Sequence, residues 1–218
     1  MSSRACAMVA MLVDAVSDRP DAVILAAGAS RRMGANKLLL PLGTTTVLDC
    51  FLRPFPFALF GRVMLVYGDP RVAEAASSYP LVCVANQAPA LGKSHSIRLG
   101  LARSRSPLGL MFCVADQPLL QAATVERLVK VFIDKPEMMV VPVAPGKAGL
   151  QQNPVVFPAA SRMELEALQG DSGGRRLLAR FPAQVRQVPF DDEQQFMDID
   201  TPERYQLARE IYALRSQP

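Results

Sequence analysis

Short apolar runs recur along the chain at spacings that leave room for a helix between them. The first is Asp21–Leu25, and Val63–Tyr67, Leu81–Val84, Leu108–Val114 and Met138–Val143 follow. These five are continuous rather than alternating, the pattern of strands covered on both faces. Asn153–Phe157 and Gln184–Val188 are shorter candidates. Between the runs, Thr46–Phe55, Val72–Ser77, Ser94–Ser104 and Thr124–Ile133 carry helical spacing. In the last of these Val125, Leu128, Val129 and Phe132 form one apolar stripe. Thr201-Pro202 opens a terminal helix, threonine as cap and proline in the first turn. Strands alternating with helices predict a single α/β domain, Rossmann-like and doubly wound, with a mostly parallel sheet.

Length and composition agree. The 218 residues amount to one domain at the usual 100–200 or so residues each, and half are hydrophobic, enough for a sizeable core. Residues 1–20 read as an extension ahead of a domain spanning 21–218, because Asp14 interrupts their apolar stretch and no signal-peptide pattern emerges. No apolar run approaches the roughly 20 residues of a membrane span. The net charge of +4 is modest and unclustered, which fits an anionic small ligand and gives no case for nucleic acid. Cys6, Cys50, Cys83 and Cys113 lack C-x-x-C spacing and His95 is the only histidine, so a structural zinc site is not expected. Cys83 and Cys113 lie in apolar runs and read as buried small hydrophobes in a reduced, cytoplasmic protein.

The most informative stretch is Leu25–Leu40, LAAGASRRMGANKLLL, directly behind the first strand. Its small residues let a ligand lie against the backbone, and Gly28 and Gly34 permit positive φ. Arg32 and Lys37 add cations, so the loop reads as a phosphate cradle. In an open parallel sheet, ligands bind outside the carboxyl ends of strands. Ala115-Asp116-Gln117-Pro118 lies at such an end, and proline holds Gln117 extended. Asp116 is either a turn aspartate or a ligand for Mg²⁺ shared with substrate phosphates. In Met197-Asp198-Ile199-Asp200, an extended backbone puts both carboxylates on one side. Asp198 reads as the metal ligand and Asp200 as support or as a helix cap. Gly92–Ser96 precedes the third helix and offers hydroxyls to a base or ribose, although Ser94 could serve as an N-cap. No serine–histidine hydrolase arrangement is present.

LAAGASRRMGANKLLL, VADQP, NPVVF, GDSGGRRLL and DIDTPERY, in that order, resemble the nucleotidyltransferases of molybdenum cofactor maturation, and most of all the cytidylyltransferases among them. The resemblance runs from about Asp21 to near the C-terminus. It implies a fold of the nucleotide-diphospho-sugar transferase type, Mg²⁺ as cofactor, and CTP and molybdopterin as substrates. A molybdenum hydroxylase would receive the product. By position it implies that Leu25, Ala26, Ala27 and Gly28 contact the nucleotide, Arg32 and Lys37 its phosphates, and Ser96 the base or ribose. Asp116 and Asp198 match the metal positions; Asn153 and Asp171 would face the pterin. Guanylyltransferases of the same pathway usually carry two glycines where this chain has Ala27-Gly28. Ala26-Ala27-Gly28 and Asp116-Gln117-Pro118 therefore lean toward CTP rather than GTP. One departure is Gln152, where a glycine usually precedes Asn-Pro. The competing class is a non-catalytic cofactor-delivery protein, which has no need of a complete triphosphate and metal set.

Overall fold

The computed structural model describes residues 18–28, 33–144 and 152–215. The apolar run after Pro20 forms β1 (Asp21–Ala26), an interior strand of the sheet. It pairs in parallel with β4 (Val63–Tyr67) on one side and β6 (Gly109–Val114) on the other. With β5 (Val82–Ala85), β7 (Met139–Val143), β8 (Val155–Pro158) and β9 (Val185–Pro189) the sheet runs β5-β4-β1-β6-β8-β7-β9. The short strands β2 (Pro41–Leu42) and β3 (Thr45–Thr46) form a separate antiparallel pair that the sequence pattern did not announce.

Successive residues of the central strands feed two different cores, as a sheet covered on both faces requires. Ala22, Ile24, Leu65, Met111 and Cys113 face α1 (Val47–Leu52), α2 (Pro70–Ala75), α4 (Ala122–Asp134) and α7 (Pro202–Arg215). Val23, Met64, Val66, Leu110 and Phe112 face α3 (Lys93–Leu101), α5 (Arg162–Glu166) and α6 (Arg175–Arg180). The amphipathic α4 buries the predicted Val125, Leu128, Val129 and Phe132. Arg19 and Pro20 are tied to the domain, through Arg19 Nη1 donating to the Ala58 carbonyl (2.9 Å) and Gly61 N–H donating to the Pro20 carbonyl (3.0 Å).

The sheet is mostly parallel, with one reversal. β8 is antiparallel to both β6 and β7. A parallel return needs a crossover of a dozen or more residues, usually a helix, and residues 144–154 between β7 and β8 are too few. Cys113 is buried as expected, whereas Cys83 is exposed. β5 is an edge strand, and three of its four residues are solvent-exposed. Among the described residues no helix is long and apolar enough to cross a membrane.

Strand order reverses at β1: the chain proceeds from β1 outward to β4 and β5, then returns to β6 on the other side. The carboxyl ends of β1 and β6 therefore flank a crevice, the place where open α/β sheets bind ligands.

Candidate active site

That crevice is a cleft of ≈ 680 Å³, within the range of small-molecule sites. Leu25, Ala26, Ala27 and Gly28 form its floor. Among the described residues a Cβ added at Gly28 would meet no atom within 4 Å, so backbone lies open to the cleft here. Gly34 takes the left-handed conformation (φ +66°), whereas Gly28 does not, and its contribution is space rather than backbone freedom. A smaller cleft of ≈ 500 Å³ shares this floor and extends toward Gly34, Asn36 and Asp69. Arg32 lies outside the described residues.

Lys37 begins a short 3₁₀ turn, Lys37–Leu39, capped by Asn36, whose Oδ1 accepts from the Leu38 amide at 3.1 Å. Asn36 also donates to Asp69 Oδ2 at 3.0 Å, fixing the turn to the end of β4. The Lys37 side chain is nearly buried, and its Nζ donates to Asp116 Oδ2 and, at 2.7 Å, to Asp200 Oδ1. Burial alone would lower the ammonium pKa, but the two carboxylates outweigh it and raise the pKa, so the lysine is charged. Asp116 is held at the end of β6, where the Ala115 amide donates to the Leu25 carbonyl at 3.1 Å.

Asp198 does not line the cleft, but it lies close enough to Asp116 and Asp200 for their charges to act on it. Its carboxyl is pushed up to about 6, first by burial and then by Asp116 and Asp200, against the opposing effects of Gln117 and Lys37. Its Oδ1 is buried and has no hydrogen-bond partner among the described residues. Three segments distant in sequence, at Lys37, Asp116 and 198–200, thus converge. Among the described residues no group of three metal-binding side chains is preassembled.

The opposite wall is built by α3 and the glycine-rich turn before α6. Ser96 lines the cleft, and its Oγ accepts from Asn86 Nδ2 at 2.9 Å, which leaves its own hydrogen available to a ligand. Asp171 also lines the cleft, and its Oδ1 accepts from the Lys93 amide at 3.4 Å. Gly92 (φ +85°) presses against the peptide of Gly170, so the two segments form one wall. Asn153 is half-buried and is not among the residues that line this cleft.

Sequence reasoning missed two participants, Asn36 and Gln117. Asn36 looked like an ordinary loop residue, although an asparagine directly before the only lysine of the loop is a capping signal. Of the two roles expected for Asp200, support or helix cap, the cap of α7 is Thr201, whose Oγ1 accepts from the Arg204 amide at 3.3 Å, while Asp200 pairs with Lys37. Gln117, read with Asp116 as a mark of nucleotide preference, is buried and turned to Phe196 rather than to the cleft.

The MobA-like NTP transferase domain matches residues 22–187. The purine catabolism protein PucB of Bacillus subtilis (strain 168) is 31% identical over 200 residues, spanning 86% of this chain and 94% of PucB. Among solved structures, Rv0371c from Mycobacterium tuberculosis H37Rv is 28% identical, with a TM-score of 0.74 over 88% of this chain and 98% of its own. The same protein in complex with manganese superposes with a TM-score of 0.70 over the same shares. A nucleotidyl transferase from Methanothermobacter thermautotroptrophicus, Mth528, has the same fold, with a TM-score of 0.79 at 21% identity, covering 92% of this chain and 100% of its own.

Proposed function

The chain belongs to the MobA-like NTP transferase family and is a nucleotidyltransferase, and on that premise we propose that it transfers CMP from CTP to the terminal phosphate of molybdopterin. An oxygen of the acceptor phosphate bonds to the α-phosphorus of CTP. The bond from that phosphorus to the β-phosphate oxygen breaks, and pyrophosphate leaves with the electron pair. A terminal phosphate is already largely ionised at neutral pH, so the reaction calls for no general base. The demand on the protein is alignment and charge neutralisation.

One observation carries the reading: at the small-residue loop behind β1, a buried charged lysine is held between carboxylates from two distant segments. In this reading Leu25, Ala26, Ala27 and Gly28 contact the nucleotide through the open floor. Lys37, with Arg32 beside it in sequence, meets the triphosphate and offsets charge building on the leaving pyrophosphate. Ser96 donates its free hydrogen to the base or ribose. Asp171 faces the acceptor from the opposite wall, and Asn153 is assigned to the acceptor as well.

The residues present suit a divalent cation. Asp116 and Asp198 are hard oxygen donors, and Asp198 Oδ1 is buried without a partner. Among the described residues no third donor completes a cluster with these two carboxylates, which suits Mg²⁺, usually bound by one or two carboxylates together with substrate phosphates. When bound, the ion would neutralise phosphate charge and draw nucleotide and acceptor together. The manganese complex of the Mycobacterium tuberculosis relative agrees with a divalent requirement. We infer a molybdenum hydroxylase as the recipient of the product.

The test is incubation with Mg²⁺, molybdopterin and CTP, GTP or ATP in turn. Expected are pyrophosphate release and a cytosine dinucleotide product, detected by mass, with CTP only. A guanine product overturns the nucleotide assignment; pyrophosphate release only with a different acceptor overturns the pterin.

A further inference from the structure

We propose that Gln117 is a positioning residue that sets Asp198 against Asp116, and so fixes the spacing of the two carboxylates assigned to the divalent cation. The inference rests on that assignment and deepens it.

Asp116 stands at the end of β6, and Asp198 lies in the segment between the short turn Gln194–Phe196 and α7. Two hydrogen bonds join these segments, and they bracket Asp198. The Ile199 amide donates to the Asp116 carbonyl at 3.0 Å, and Gln117 Nε2 donates to the Phe196 carbonyl at 2.9 Å. Gln117 is 1% exposed and is followed by Pro118, which holds its backbone extended. The amide is not placed there to satisfy itself. Among the described residues its Oε1 is buried without a hydrogen-bond partner, and so is Asp198 Oδ1 at the same junction. A buried polar atom left unpaired calls for an explanation, and an apolar side chain of similar size would fill the space without that cost.

The segment carrying Asp198 has anchors of its own. Phe196, Met197 and Ile199 are buried in the core, and Thr124 donates to Gln195 Oε1. Losing the Gln117 contact therefore shifts Asp198 without unfolding its segment. Groups that orient a metal's ligands typically affect metal affinity or activity by about 10- to 100-fold.

The test is Gln117→Leu in the full chain, read by Mn²⁺ binding (electron paramagnetic resonance of the free ion) in the presence of CTP or GTP, together with steady-state kinetics. The expected result is a Mn²⁺ dissociation constant raised about 10-fold or more, a reduced kcat, a nucleotide KM within about twofold, and a near wild-type Tm. A packing role alone would leave Mn²⁺ affinity unchanged in the leucine variant, and that outcome overturns the proposal. Should Gln117→Leu fail to fold, Gln117→Asn gives the same readout, since it keeps the amide but falls short of Phe196. Wild-type protein that binds no Mn²⁺ with either nucleotide overturns the metal assignment and this inference together. Wild-type binding matched by the variant overturns this inference alone.

Discussion

Lys37 Nζ stands 2.7 Å from Asp200 Oδ1 and also contacts the Asp116 carboxylate, although 163 residues separate the lysine from Asp200. The contacts keep a positive charge on the lining of the cleft proposed to take the triphosphate. Replacing Lys37 with methionine preserves the aliphatic stem and removes only that charge. Turnover should fall by about 10²-fold or more, the usual cost of losing one charge contact to a transition state. Single-turnover pyrophosphate release measures the step directly. Turnover near wild type in Lys37→Met would remove the lysine from the reaction.

The two carboxylates on Lys37 should not be equivalent. The Asp116 side chain is 18% exposed, whereas that of Asp200 is 54% exposed. An exposed ion pair is worth little, about 0–1 kcal/mol, so Asp200→Asn should reduce turnover less than about tenfold. Asp116→Asn removes both the more buried partner of Lys37 and a proposed metal donor. It should abolish detectable turnover and raise the Mg²⁺ concentration needed for any residual activity. Mg²⁺ titrations of the two variants, run in parallel, decide this; equal losses would contradict the division of roles.

The sheet was legible because covered strands advertise themselves as unbroken apolar runs, and the floor of the site because small residues directly behind a strand can do little else. β8 shows where that legibility stops. Its run looks like any other strand, and direction depends on the length of the connection, which hydropathy does not encode. Cys83 misled for a related reason: an edge strand and an inner strand have similar composition but different surroundings. Asn36 and Gln117 were illegible as site residues because their importance lies in which distant backbone groups they reach.

The junction of the two cleft walls is a steric test of the structure. Gly92 has φ +85° and ψ −178°, a conformation open almost only to glycine, and a Cβ there would lie 2.4 Å from the Gly170 carbonyl carbon. Gly92→Ala should therefore cost about 1–3 kcal/mol, lowering Tm by roughly 2–10 °C for a domain of this size. It should also raise KM for both substrates, because the displaced wall carries Ser96 and Asp171. Gly173→Ala is the control: its Cβ would meet only Lys93 Cδ at 3.3 Å, part of a flexible side chain. Thermal melts of both variants should show a large shift for the first and little for the second.

Away from the site, Tyr79 and Asp49 give the fold a pH signature at both extremes. The Asp49 carboxylate accepts from the hydroxyls of Tyr79 and Thr45 and pairs with Arg53. Burial pushes its pKa up, but these partners outweigh burial and hold it below the usual value. A depressed carboxylate contributes stability above its unfolded pKa, about 3.9, and loses it as pH falls through the lower folded value. Tyr79 is pushed up to about 12 by burial and by Asp49. A raised phenol contributes fully below its unfolded pKa, near 10, and loses the contribution as pH climbs toward 12. Tyr79→Phe should thus be less stable than wild type by a constant margin between about pH 5 and 9. That margin should narrow below about pH 4 as Asp49 protonates, and above about pH 10 as the unfolded tyrosine ionises. Urea midpoints for both proteins across this range test it, and a margin that stays constant at both ends would show that the two groups do not interact.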